Sequence, residues 1–198
     1  GAVLALVFAF LTQTLLANQV ATGLALTLFG LGLSSLIGQG FVGMKPPQID
    51  RLTFGPLTDL PFFGKVLFHH DPIVYLSVGI IAVVWAVLKY TRTGLILRAV
   101  GENDHSAHSI GYSVVSVRYA AIAFGGAMAG IGGAYFSMVI TPMWAEKMTA
   151  GRGWIALALV VFAGWRTGRL LAGAYFFGVL MWLELFAKAG GFGDALPI

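Results

Sequence analysis

Four stretches of this chain are apolar for long enough to cross a lipid bilayer. A spanning helix needs roughly 20 mostly apolar residues, and residues 20–38, 72–89, 119–140 and 170–187 approach or reach that length. Each is expected to form a transmembrane helix. Two further apolar runs are shorter. Residues 1–16 (GAVLALVFAFLTQTLL) read as the second half of a span, and Ala17, Asn18 and Gln19 alone separate them from the next run, which predicts a tight helical hairpin. Residues 153–163, between Arg152 and Gly164, admit three readings: a half-helix, a re-entrant segment, or a span that borrows residues 149–151. The expected fold class is all-α, a polytopic transmembrane helical bundle of about six membrane segments, one of them short or re-entrant. Residues 1–198 form one expected domain, read as truncated at both ends.

The polar stretches between these runs differ in kind. Residues 39–71 carry Pro46, Pro47, Pro56 and Pro61, with Pro72 opening the next span, and read as an irregular connection on the membrane surface. Residues 89–118 read as a long charged loop holding Arg92, Arg98, Glu102, Asp104, His105, His108 and Arg118, all outside the apolar runs. A soluble partner is expected there. The loop leads directly into a span dense in glycine. Helices in lipid gain little from burial against each other, so close association depends on small residues. Gly126 and Gly130 form a GxxxG pair, flanked by Gly125 and Gly133. One flat packing face is expected, serving either a neighbour in the same chain or a dimer seam.

Composition narrows the class. With 58% hydrophobic and 10% charged residues, a soluble domain of 198 residues could not cover its surface. The bilayer is therefore the expected surrounding. The formal net charge of +4 comes from basic residues that flank apolar runs, so no nucleic acid partner is expected. The absence of cysteine excludes disulfides, thiolate metal sites and thiol nucleophiles. No basic segment precedes the first run, as a secretory signal peptide would require. If segments alternate sides, Lys89, Arg92, Arg98, Arg118, Arg166 and Arg169 face one side, and Lys45, Arg51, Lys65, Lys147, Arg152 and Lys188 the other. That balance leaves orientation open, because Lys and Arg set it.

Most short motifs fail on their context. GQGFVG at residues 38–43 matches GxGxxG, but an apolar helix precedes it and a proline-rich stretch follows, where a dinucleotide site needs a strand and then a helix. FFGKV at residues 62–66 lacks the first P-loop glycine, since position 59 is Asp, and Val66 stands in place of Ser or Thr. No nucleotide site, cofactor or metal is expected, because neither His69, His70 and Asp71 nor Glu102, His105 and His108 form a complete ligand set. Glu184 is the ionisable residue well inside a span, and Lys188 at i+4 is placed to pair with it. Residues 141–160 place Trp144, Glu146 and Thr149 before a short apolar run. This fits either a broken helix lining a substrate path or an interfacial segment with an aromatic anchor. With Asn18 and Gln19, these residues are the pathway candidates.

Four segments carry a family resemblance: ANQVATGLALTLFGLGLSS (17–35), TRTGLILRAVGEN with IGYSVVSVRY (91–119), GGAMAGIGGAYFS (125–137) and TPMWAEKMTAGRGWIALALVVFAGW (141–165). The sequence resembles the permease subunits of bacterial ABC importers for branched-chain amino acids, simple sugars and nucleosides, and is most similar to the nucleoside or simple-sugar branch. The resemblance implies a non-enzymatic transmembrane permease of the bacterial cytoplasmic (inner) membrane. Nucleosides are its favoured solute, then simple sugars. It also implies a second permease subunit, separate ATPase subunits that hydrolyse ATP, and an extracytoplasmic solute-binding protein. The coupling segment maps to residues 101–111, with Gly101, Glu102, Asn103, Asp104, His105, Ser106 and Gly111 as the expected ATPase contacts. Residues 104–109 (DHSAHS) are more polar than that family's pattern. The alternative is an ion-coupled secondary transporter, which would lose transport on Glu184→Gln.

Overall fold

Asn18 stands immediately before the first full-length apolar run, the position where a short polar side chain caps a helix. In a computed structural model, which describes residues 1–44, 71–109, 111–141, 143–149 and 151–189, it does so. Its Oδ1 accepts hydrogen bonds from Val20 N (3.0 Å) and Ala21 N (3.1 Å) and opens helix α2, Gln19–Gly38. The chain before it forms α1, Ala2–Ala9, continued by a wider π-helical turn, Phe10–Thr14. The reversal between α1 and α2 passes through Leu16 at φ 53°. Asn18→Ala is expected to cost about 1 kcal/mol, a fall of roughly 2–4 °C in the thermal midpoint followed by tryptophan fluorescence. Altered transport with an unchanged midpoint would give Asn18 a pathway role beside its capping role.

Past residue 71 the chain is again helical. Pro72–Tyr90 is α3, with its proline at the first turn, where the missing N–H costs nothing. Thr91 then serves two helices: its Oγ1 donates to the Val87 carbonyl (2.6 Å) and accepts from Gly94 N (3.2 Å). It ends α3 and opens α4, Arg92–Glu102. Gly94 lies against the α3 backbone at Val87 and Leu88, where a Cβ would have no space, and Arg98 donates to the Leu88 carbonyl. The short α5, Asp104–Ser109, follows, then α6, Val114–Tyr135, which ends in a second π-helical turn, Phe136–Ile140.

Residues 89–118, expected as a loop, are thus mostly helical. Arg92 and Arg98 interrupt the apolar positions of α4 and lower its hydropathy below that of a span, while Gly94 and Val100 are buried. The span expected from residue 119 starts at Val114, so Arg118 lies inside a helix.

The described residues group into two compact units, Gly1–Met148 and Thr149–Ile198. In the first, α1 lies chiefly against α6, with α2 beside it. The second holds α7, Arg152–Phe162, and α8, Thr167–Ala189, which pack on each other. At 11 residues, α7 is about 16 Å long, half of a roughly 30 Å hydrocarbon core. That length excludes the full-span reading. On α8, Lys188 Nζ lies 2.6 Å from Glu184 Oε1, pairing the two as their spacing predicts.

Among the described residues, four helices are long and apolar enough to span: Gln19–Phe41, Pro72–Tyr90, Val114–Ile140 and Thr167–Lys188. Ala2–Thr14 and Arg152–Phe162 are shorter apolar helices. Side chains such as Leu16 and Phe162 stand 83% and 92% exposed. That much apolar surface is stable against lipid and would aggregate in water. The chain is a membrane protein. The proline-rich stretch at 45–70 lies outside the described residues.

Candidate functional site: the coupling segment and its polar clamp

The expected contacts among residues 101–109 and 111 are built from helix ends. Gly101 and Glu102 close α4. Asn103 is extended (φ −152°), and its carbonyl accepts from Ala107 N (3.1 Å) in the first turn of α5. Asp104, His105 and Ser106 lie on α5, where Asp104 Oδ1 accepts from His105 N (3.1 Å). Glu102, Asn103, His105 and His108 are exposed, whereas Ala107 is 2% exposed and holds the segment down. Gly111, at φ 92°, takes a left-handed conformation that side chains disfavour and turns the chain toward α6. Among the described residues, no three His, Cys, Asp or Glu side chains converge on a metal position.

A polar cluster beside this segment joins it to the membrane helices. Arg118 Nη2 donates to Asp104 Oδ2 (3.1 Å) and Nη1 donates to Gln13 Oε1 (3.3 Å). The next residue, Tyr119, has its hydroxyl 2.5 Å from Thr14 Oγ1. The ion-paired side chains are 43% and 46% exposed, so the pair contributes about 0.2–1 kcal/mol. Asp104 and Arg118 stand 14 residues apart, beyond the reach of any local helix rule. Sequence reasoning named both residues and did not pair them.

The glycines of α6 separate into two sets. Gly126 and Gly130 face the N-terminus: an added Cβ at Gly126 would collide with Ala5 Cβ, and one at Gly130 would lie 3.3 Å from Gly1 Cα. An added Cβ at Gly125 or Gly133 would meet no described atom within 4 Å beyond the adjoining residues and backbone of its own helix.

The pathway candidates separate as well. Asn18 caps α2 with Gln19 as its first residue, on the side of the polar cluster. At the far end of α2, about 30 Å away, Ser35 Oγ donates to Glu146 Oε1 (2.9 Å), and the Trp144 indole fills the space beside Gly38. A cavity of about 740 Å³ opens there, lined by Leu4, Ser34, Ile37, Phe41, Ser137 and Trp144 among others. Thr149 begins the second unit, where its carbonyl accepts from Arg152 N (3.1 Å). A second, almost wholly apolar groove of about 1040 Å³ lies between α3, α4 and α6, lined by residues such as Ile80, Leu97 and Phe124.

The chain is 42% identical over 189 residues to a permease protein named for glucose ABC transport in Haloferax volcanii, covering 93% of this chain and 57% of the relative. It is 29% identical to the nucleoside ABC transporter permease protein NupC of Lactococcus lactis, covering 100% of this chain and 62% of the relative. It is likewise 29% identical to the guanosine ABC transporter permease protein NupQ of Bacillus subtilis, again with 100% and 62% covered. The chain thus spans less than two thirds of the length of these relatives. No solved structure matches it significantly. The family model described as branched-chain amino acid transport system / permease component matches residues 1–189, and the chain belongs to that family.

Proposed function

We propose that the protein is a permease subunit of an ABC importer in the cytoplasmic membrane. It forms part of the solute path, pairs with a second permease subunit, and is driven by a separate ATPase that docks on residues 101–111. An extracytoplasmic binding protein delivers the solute. The observation that carries this reading is the coupling segment itself: a short helix with exposed polar residues, fixed by an ion pair to the glycine-packed α6. Membership in a permease family supports it. A solvated loop would explain the charges but not their attachment to two membrane helices. The solute is a nucleoside or a simple sugar; the relative with the higher identity is the one named for glucose, so sugars rank beside nucleosides.

The test is uptake of labelled uridine and glucose by cells carrying the complete system. Uptake of one of them is expected to fall to background when the ATPase is replaced by a hydrolysis-dead variant. Uptake that persists without ATP hydrolysis and follows an ion gradient would favour the secondary-transporter reading instead. The close Glu184–Lys188 pair leaves that alternative without a free intramembrane carboxylate on α8.

A further inference from the structure

We infer that the Asp104–Arg118 ion pair is the joint through which α5 moves the membrane helices, with Arg118 as its positioning residue; this rests on the proposed docking of an ATPase on residues 101–111. Three elements meet at the Arg118 guanidinium. Asp104 on α5 and Gln13 on the π-helical turn of the first segment each accept from a different nitrogen, and the arginine itself belongs to the first turns of α6. The Thr14–Tyr119 contact runs parallel to it one residue on. A displacement of α5 therefore acts on two membrane helices at once, at the same end of both. Those helices are packed together at Gly126 and Gly130, so they respond as one body.

The chain around α5 suits such movement. Extended Asn103 on one side and Gly111 at φ 92° on the other are changes of direction, so the peptide path transmits little push compared with a fixed side-chain link. The guanidinium provides that link because its planar fork presents several donors at set angles. An ammonium on a flexible stem could satisfy one acceptor and lose the other. The pair is also too exposed to hold the fold, so its effect is expected on coupling rather than on insertion.

The experiment uses the complete importer in proteoliposomes and measures solute delivered per ATP hydrolysed, together with ATPase co-purification. R118Q and R118K, at a position outside the docking segment, are expected to keep their ATPase and its hydrolysis while delivery per ATP falls by up to about fivefold. Unchanged delivery per ATP in R118Q and R118K would overturn the joint. Loss of ATPase binding in both would also overturn it, by making the pair a docking contact. Should R118Q not insert, R118K, which keeps the charge, decides alone. A wild-type chain that binds no ATPase would remove the docking reading first, and the joint with it.

Discussion

Replacing Gly126 with leucine is expected to separate the first helix from α6 and to lower the thermal midpoint of the purified chain by roughly 5–10 °C. The reason is space. A Cβ at this position would overlap Ala5 Cβ and sit 3.2 Å or more from the Gly1 backbone, so neither neighbour is a flexible side chain that could swing away. Overpacking of a tight contact typically costs about 1–3 kcal/mol, and between membrane helices no hydrophobic gain offsets it, because lipid is as apolar as the interface. Transport should be lost as well, since α1 carries Gln13 and Thr14 to their partners on α6. Gly133→Leu is the matched control: the surrounding space is open among the described residues, and its midpoint should stay within about 2 °C. Equal losses in both variants would show that glycine content, and not this contact, sets the stability.

The spans were legible in the sequence because a bilayer demands long apolar runs, and run length survives ignorance of tertiary structure. Residues 72–89 and the helix Pro72–Tyr90 differ by a single residue. The Glu184–Lys188 pair was legible for a similar reason, as i,i+4 neighbours on a helix meet wherever the helix goes. Helix α4 was not, because its arginines and glutamate disguise a short amphipathic helix as a polar loop. The signal that could have found it is Thr91, a capping residue placed three before Gly94. Asn18, a pathway candidate, stands at a cap position just as plain, before the first full-length apolar run. The GxxxG pair announced close packing without naming the partner. Which of five nearby glycines meets another helix depends on the rotation of α6, and local sequence does not fix that rotation. The two π-helical turns share the propensities of ordinary helix and had no signature to read.

Glu102→Lys is expected to weaken association with the ATPase at least tenfold, with transport falling to background and the thermal midpoint within about 2 °C of the wild type. Glu102 is the last residue of α4 and is exposed. A carboxylate there faces the negative end of the helix dipole and is a slight cost to the helix, so lysine should leave α4 as stable or more so. A residue that opposes its own helix and makes no contribution to burial is better explained by what docks on it. Reversing its charge changes an interaction across the interface by more than removal would, since attraction becomes repulsion. Co-purification of the ATPase with the variant, measured beside membrane insertion, separates the two effects. Wild-type association would take Glu102 out of the docking surface and shift the contact onto α5, where His105 and His108 are the next exposed groups.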